Sequence, residues 1–213
     1  MPITVFVADD HAIVREGLVS LLAAQSDISV IGTAADGRDT VRQVVKLRPE
    51  VVVMDISMPL MNGIEAAREV RLRVPQTRVV ILSMHSIVEH VFHALEAGAA
   101  GYLLKESVGN EIVDAVRAVC AGRRYVSPKV AEALADGVSR RGTESPLASL
   151  SARERQVLQL VAEGHTSAQI AATLNLSPKS VDTYRSRVMQ KLHIGDVAGL
   201  IKFAIQHGIT SVE

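Results

Sequence analysis

The chain has 213 residues, of which 48% are apolar and 22% are charged, and its formal net charge is zero. No apolar run approaches the roughly 20 residues that a membrane-spanning helix needs, and a strand-like pattern begins at once, without a secretory leader before it. The single cysteine, Cys120, excludes an internal disulfide, so we expect a protein of the reducing cytoplasm without a membrane partner.

Five strand-like apolar runs alternate with five helix-like segments in the first half of the chain. Strands are predicted near 3–8, 28–34, 51–54, 78–83 and 101–104, and helices near 12–25, 37–47, 63–73, 87–97 and 108–121. In the first two helices, spacing predicts that the core-facing residues are Ile13, Leu18, Leu21, Leu22, Val41, Val44, Val45 and Leu47. The alternation is typical of a doubly wound α/β domain with a five-stranded parallel sheet.

The pattern changes after Gly122. The segment SPKVAEALADGV is able to form one short amphipathic helix, and SRRGTESPLAS has the Ser, Gly and Pro content of an exposed linker. Four helix-like segments follow, near 151–162, 166–174, 177–192 and 196–207, with no strand-like run among them. We therefore predict one domain over 1–122, a linker over 123–149 and a small all-α four-helix domain over 150–213.

Polar residues stand at the ends of four of the predicted strands. Asp9 and Asp10 follow the first strand, Asp55 the third, Ser83 the fourth and Lys105 the fifth. Because ligands bind at the carboxyl ends of parallel strands, we expect these side chains to converge in one crevice. Three carboxylates close together require a cation, and oxygen ligands with no cysteine and no well-placed histidine favour Mg²⁺.

The chemistry that this crevice suits is phosphoryl transfer. A carboxylate in such a site can attack phosphorus, and Asp55 is the predicted nucleophile. Lys105 can pair with a carboxylate before the reaction and with a phosphoryl oxygen after it. Ser83 can donate a hydrogen bond to the same oxygens. Positioning and charge neutralisation would then supply the rate.

Residues 1–122, with VVVMDISMP around Asp55, resemble the receiver domain of a two-component response regulator, which has a flavodoxin-like strand order. The resemblance implies that Asp55 is the phosphoacceptor and that the matching hydroxyl and lysine are Ser83 and Lys105. It further implies that Tyr102 is the switch aromatic, whose rotamer follows the hydroxyl. The implied Mg²⁺ ligands are Asp9, Asp10, Asp55 and the backbone carbonyl of Ser57.

The second domain carries a helix-turn-helix pattern. Ser151 and Glu154 predict a capping box, Thr166 can cap the next helix, and Ser177 followed by Pro178 is a strong helix start. Four basic residues against one acid between 177 and 192 place any nucleic-acid function there. The predicted DNA-binding residues are Thr166, Lys179, Ser180, Asp182, Thr183, Ser186 and Arg187. Since an acid repels phosphate, Asp182 must either accept a hydrogen bond from a cytosine amino group or point away from the DNA.

Residues 150–207 resemble the DNA-binding domain of the NarL/FixJ regulators, which are of the LuxR type. Such domains usually dimerise through their last helix, where the candidate contacts are Val197, Leu200 and Ile201. The two resemblances together imply a transcriptional regulator that a cognate sensor histidine kinase phosphorylates with Mg²⁺. The receiver would cover the recognition helix at rest, and phosphorylation would release a homodimer to bind a double-stranded operator.

Two other functions remain open from the sequence. A Mg²⁺-dependent phosphatase or mutase also forms an aspartyl phosphate, but such enzymes usually place a second Asp two residues after the nucleophile, where this chain has Ser57. The regulator interpretation therefore predicts no enzyme beyond self-phosphorylation and dephosphorylation. A DNA-binding protein that keeps its receiver only for dimerisation or partner binding is the other alternative, against which the intact acceptor residues count.

Overall fold

The computed structural model describes residues 1–84, 88–138 and 146–210. The chain separates into two compact units, Met1–Arg141 and Gly142–Glu213, and the division falls within the predicted linker 123–149. Within the described ranges, none of the helices combines the length and the apolar content that crossing a bilayer requires.

The first unit alternates strands and helices along the chain. Its strands are β1 (Ile3–Ala8), β2 (Ile28–Ala34), β3 (Val51–Asp55), β4 (Arg78–Ser83), β5 (Gly101–Leu104) and β6 (Tyr125–Val126). Its helices are α1 (Ala12–Ala23), α2 (Gly37–Leu47), α3 (Gly63–Arg73), α4 (Val88–Ala97), α5 (Val108–Cys120) and α6 (Pro128–Val138), with a 3₁₀ turn at Lys105–Ser107. The predicted α/β alternation is confirmed.

All strand pairs in the sheet are parallel, and the strand order is β2-β1-β3-β4-β5-β6. The first five strands have the flavodoxin-like order that the resemblance implied. The order reverses between β1 and β3, which are hydrogen-bonded neighbours. In doubly wound sheets the ligand crevice lies at the carboxyl ends of the strands at such a reversal.

Strand residues alternate between two apolar cores on opposite faces of the sheet. In β1, Phe6 and Ala8 join one core, whereas Val5 and Val7 join the other. Helices α2, α3, α4 and α6 contribute to the first core, and α1 and α5 to the second. Because both faces are covered, the strands appear in the sequence as continuous apolar runs.

The predicted core faces of α1 and α2 are partly wrong. Leu18 and Leu22 are buried, but Ile13 is 87% exposed. The exposed members of the predicted set are Ile13, Leu21, Val45 and Leu47. The reason is geometric: in α1, positions 13, 17 and 21 form a second stripe about 100° around the helix from 14, 18 and 22. Both stripes contain apolar residues, so spacing alone does not identify the buried one.

A sixth strand lies at the edge of the sheet, where the sequence predicted none. β6 pairs with β5 through Gly101 and Tyr125 and through Tyr102 and Val126. The short helix α6 follows directly and places Val130 in the first core. Two residues are too few to show a period, which explains why this strand escaped prediction.

The second unit is helical, as predicted. It contains a 3₁₀ turn (Pro146–Ser149) and the helices α7 (Ala152–Ala162), α8 (Ser167–Leu174), α9 (Pro178–Leu192) and α10 (Val197–Gln206). Helix α7 packs against both α9 and α10, and α8 packs against α9. Buried Val157, Leu158, Ile170, Val181 and Val188 form part of its apolar interior.

Candidate functional site

The strand-end acids and the lysine converge as predicted. Asp9 and Asp10 directly follow β1, Asp55 is the last residue of β3, and Lys105 follows β5. The Lys105 ammonium lies 2.8 Å from Asp9 Oδ2 and 3.0 Å from Asp55 Oδ2, and both carboxylates are buried. One cation therefore bridges two of the three acids at the carboxyl edge of the sheet.

The crevice also contains a histidine, contrary to the prediction of an oxygen-only site. Asp9, Asp10, His11 and Asp55 each offer one ligand atom, and these four atoms lie within 4.8 Å of one another. His11 Nδ1 is 2.8 Å from Asp10 Oδ1, and the His11 backbone N–H donates to Asp9 Oδ1 at 2.9 Å. Three carboxylates against one lysine leave about two uncompensated negative charges, so the donor set fits a divalent cation.

Burial shapes the acid–base properties of Asp55 and Lys105. Desolvation raises the pKa of Asp55 to about 6; the charge of Lys105 opposes this rise, and the charges of Asp9 and Asp10 add to it. Burial by itself would lower the pKa of Lys105, but attraction to Asp55 and Asp9 leaves that pKa above its usual value. Lys105 therefore does not fully offset the cost of ionising Asp55, which burial and the neighbouring charges of Asp9 and Asp10 impose.

Ser83 and Tyr102 form the neighbouring part of the site. Ser83 is the last residue of β4 and is buried, and Tyr102 lies fully buried in β5. Their side chains are hydrogen-bonded to each other. Burial raises the pKa of Tyr102 to about 12, with a further contribution from the charge of Asp55. The two residues that the resemblance paired are thus in direct contact.

Two residues outside the predicted set of site residues, Arg15 and Gly63, shape this crevice. Arg15 Nη1 donates to the backbone carbonyl of Asp9 at 2.6 Å and holds the loop after β1. An added Cβ at Gly63, the first residue of α3, would lie 2.0 Å from the carbonyl oxygen of Asp55. Only glycine allows this approach. A glycine directly after the N-cap Asn62 is the sequence feature that could have indicated it.

Ser57 lies in the same β3–α3 loop and is partly exposed. Its role as a ligand through its backbone carbonyl stays a prediction.

The helix-turn-helix arises from the predicted capping. Ser151 with Glu154, and Thr166 with Gln169, form complete capping boxes at α7 and α8. Asn175 then takes a left-handed conformation with φ 54° at the end of α8, which turns the chain sharply. Ser177 caps α9 by accepting from the Ser180 backbone N–H at 3.1 Å.

Several of the side chains that were predicted to contact DNA already form hydrogen bonds or ion pairs within the second unit. Asp182 accepts from Ser167 Oγ at 2.8 Å and pairs with Arg185 at 3.1 Å, so its charge is neutralised within the unit. The hydroxyl groups of Thr166, Ser180 and Thr183 hydrogen-bond to neighbouring residues at helix ends or within α9. In the described part of the chain, the exposed residues Lys179, Ser186 and Arg187 have no such intramolecular partner.

One basic residue of α9 has a structural partner. Lys191 Nζ lies 2.7 Å from Glu154 Oε2 and also donates to the Ser149 carbonyl at 3.0 Å. Burial raises the pKa of Glu154, but hydrogen bonds from Lys191 and Ser151 outweigh it and leave that pKa below its usual value. Two of the four basic residues of α9, Arg185 and Lys191, are thus paired with carboxylates, and Lys179 and Arg187 remain to bind a nucleic acid.

The three candidate dimer contacts on α10 differ in exposure. Val197 is 43% exposed and Ile201 is partly exposed, whereas Leu200 is fully buried. Because α10 packs against α7, Leu200 belongs to the interior of this unit. The three dimer contacts stay predictions, and Val197 is the most accessible of them.

Two family models match the chain. Residues 5–117 match the response regulator receiver domain, and residues 148–204 match the bacterial regulatory proteins of the luxR family. The chain belongs to the two-component response regulators with a LuxR-type DNA-binding domain. The predicted family, its fold and its role as a phosphorylation-dependent transcriptional regulator are confirmed.

Similar proteins match this chain over almost their full length and almost all of this chain. The response regulator UvrY of Escherichia coli (strain K12) is 37% identical over 212 residues, 99% of this chain and 97% of UvrY. GacA of Pseudomonas aeruginosa is 38% identical over 208 residues, 97% of each chain. The solved RcsB response regulator of Salmonella typhimurium is 26% identical with a TM-score of 0.59, covering 95% of this chain and 97% of that chain. RcsB has also been solved in complex with DNA.

Proposed function

We propose that Asp55 of this response regulator is the residue that accepts a phosphoryl group from a sensor histidine kinase. The observation that carries the proposal is the Lys105 ammonium bridging buried Asp9 and Asp55. A carboxylate oxygen of Asp55 attacks phosphorus, the bond from phosphorus to the histidine nitrogen breaks, and the imidazole leaves. Lys105 then pairs with a phosphoryl oxygen in place of the Asp55 carboxylate.

Asp9, Asp10 and Asp55 would hold Mg²⁺ in this response regulator, together with the backbone carbonyl of Ser57. The fit rests on the charge imbalance of the crevice and on its carboxylate oxygens, which this cation prefers. When bound, Mg²⁺ neutralises the negative charge of the entering phosphoryl group. We include no turnover of outside substrates in this proposal; the receiver catalyses only its own phosphorylation and dephosphorylation.

Ser83 and Tyr102 would transmit the conformational change that phosphorylation of Asp55 causes. A phosphoryl oxygen on Asp55 competes for the Ser83 hydroxyl, which now bonds to Tyr102. The Tyr102 backbone carbonyl accepts from the Ser127 N–H at 3.0 Å, and Lys129 pairs with Glu106 at 2.7 Å. These contacts connect the residues beside the crevice to the start of α6, from which the chain continues to the second unit.

The output would be binding to a double-stranded operator through α9. Lys179, Ser186 and Arg187 are the proposed groups for DNA, because they are exposed and lack partners within the described residues. RcsB, which resembles this chain over both units, binds DNA. A phosphorylated homodimer would match a two-fold operator, with Val197 at its contact. These reactions belong in the cytoplasm, where a kinase and the operator meet.

Replacing Asp55 by Asn tests the acceptor assignment. We expect the wild-type chain to incorporate labelled phosphate from acetyl phosphate with Mg²⁺, and expect Asp55→Asn, or EDTA, to abolish incorporation. Asp114→Asn, an exposed carboxylate of α5, is the matched control and should label normally. Undiminished labelling of Asp55→Asn would overturn the assignment. Rapid multiple turnover of small phosphoesters would instead favour the phosphatase alternative.

A further inference from the structure

A pocket of about 250 Å³ lies at the end of the sheet opposite the acidic crevice. It is formed where β4 and β5 begin and where α3, α4 and α5 end. Four arginines line it: Arg71, Arg78, Arg123 and Arg124. Within the described ranges, no aspartate or glutamate lines this pocket. We call it the arginine pocket.

The guanidinium groups of the arginine pocket form no ion pair with any described residue. Arg71 Nη1 makes only a long contact, 3.4 Å, to the backbone carbonyl of Glu96. The Glu96 carboxylate lies against another residue, with its Oε2 3.5 Å from His93 Nδ1. By contrast, Arg73 and Arg117, near the same end of the unit, are each paired with a carboxylate.

Arg71 is placed by a backbone feature. Gly98 has φ +100°, a conformation that L side chains rarely adopt, and an added Cβ there would lie 2.3 Å from Arg71 Cδ. The absence of a side chain at Gly98 therefore gives the Arg71 stem its path across the turn between α4 and β5. The turn thus limits the conformations of the Arg71 side chain before a ligand binds, so binding costs less side-chain entropy than it would for a freely moving arginine.

Helix dipoles do not account for four arginines. The carboxyl ends of α3, α4 and α5 each carry roughly −0.5 charge, about −1.5 together, which basic residues commonly balance. The arginines supply four positive charges, so the pocket keeps a surplus of about two to three. A neighbouring hollow of about 220 Å³ adds Arg48 to the same end, and its Glu50 carboxylate already accepts from Thr4.

We propose that the arginine pocket binds a small anion with two linked phosphate groups. Guanidinium groups match phosphate oxygens in a bidentate manner, and a diphosphate presents enough oxygens for several arginines at once. The volume is below the roughly 300–1,000 Å³ of pockets for drug-sized ligands, which suits the diphosphate itself. Such an anion occurs free as pyrophosphate or as the diphosphate end of a nucleotide. The site is separate from Asp55, so its occupancy would give this regulator a second chemical input.

Isothermal titration calorimetry of the full chain tests the proposal, in Mg²⁺-free buffer with pyrophosphate, ADP and orthophosphate as separate probes. We expect pyrophosphate to bind with a stoichiometry of one and orthophosphate to bind at least tenfold more weakly. ADP that binds as tightly as pyrophosphate identifies the diphosphate as the recognised group, and tighter ADP binding identifies a nucleotide source; either result supports the site. No binding of pyrophosphate or ADP, or equal affinity for orthophosphate, would overturn the proposal.

Variants locate the binding. Arg71→Ala and Arg124→Ala should each weaken pyrophosphate binding about tenfold, a loss typical of one hydrogen bond to a charged group. Arg42→Ala, exposed on α2, should leave affinity unchanged, as should Asp55→Asn, which separates this test from the phosphoacceptor proposal. If a Lys179→Ala, Arg187→Ala double variant loses binding instead, the anion binds the DNA-facing helix and the arginine pocket is excluded.

Discussion

At the scale of single residues, the acidic crevice depends on polar side chains that stand in register with the strand ends, so that one ammonium reaches two buried carboxylates. Asp9, Asp55 and Lys105 meet as expected. The protonation of Asp55 does not follow from the sequence, because its pKa depends on how deeply the folded chain buries it. Of the two partners of Asp182, Arg185 is a neighbour on the same helix, but Ser167 could not be predicted because it is fifteen residues away and on another helix.

The raised pKa of Asp55 predicts a pH-dependent cost to stability. Between pH 3.8 and about 6 the folded chain binds the Asp55 proton more tightly than the unfolded chain, so stability falls as pH rises. Above about pH 6 the cost is complete, about 3 kcal/mol without Mg²⁺. Asp55→Asn should therefore raise the melting temperature of the first unit at pH 8 and change it little at pH 4.

Scanning calorimetry in EDTA at both pH values measures this effect. Asp114→Asn is the control, because its carboxylate is exposed and lies outside the acidic crevice. Added Mg²⁺ should stabilise the wild type at pH 8 and stabilise Asp55→Asn less. An Asp55→Asn gain of the same size at pH 4 and pH 8 would show that ionisation of Asp55 is not what costs stability.

At the scale of secondary-structure elements, helix starts were the best predicted features because they depend on local hydrogen bonds. The Ser151–Glu154 capping box and the Ser177 cap are present. Edges and faces were predicted less well. β6 pairs with only two residues of β5, and the buried face of α1 depends on the sheet it covers, which is information distant in sequence.

The space around two helix glycines, Gly63 in α3 and Gly17 in α1, predicts opposite effects for their substitution by alanine. Gly63→Ala should cost about 3 kcal/mol, because its methyl group meets the Asp55 carbonyl, and backbone atoms cannot move aside cheaply. It should also slow phosphorylation, since Asp55 must shift. Gly17→Ala, with nothing within 4 Å of the new methyl group, should stabilise α1 by about 0.5–1 kcal/mol. Urea unfolding and acetyl phosphate labelling measure both; a Gly63→Ala as stable as Gly17→Ala would refute the packing argument.

At the scale of the whole molecule, the change from α/β alternation to helices alone was enough to predict two functional parts. The family models 5–117 and 148–204 agree with that division. The sequence did not show that β6 and α6 belong to the first unit, because their apolar positions only gain meaning against β5 and α4.

Binding of DNA should depend on phosphorylation and on salt. We expect acetyl phosphate to increase operator affinity of the wild type but not of Asp55→Asn. Lys179→Ala and Arg187→Ala should each leave one DNA phosphate without its cation, which makes the slope of log affinity against log salt shallower by about 0.9. Fluorescence anisotropy at several salt concentrations, on an operator selected from random duplex DNA, measures both effects. Lys46→Ala on α2 is the control; equal slopes in all variants would remove α9 from the interface.

The two-residue strand β6 covers part of the outer side of β5, which would otherwise be the edge of the sheet. A central parallel strand such as β5 carries backbone donors and acceptors on both sides, and an uncovered side is a template for pairing with other chains. Tyr125 and Val126 pair with Gly101 and Tyr102, the first half of that side, and α6 follows them almost immediately. A receiver fragment cut at Gly122 would leave β5 open, so a soluble fragment should extend through Val138.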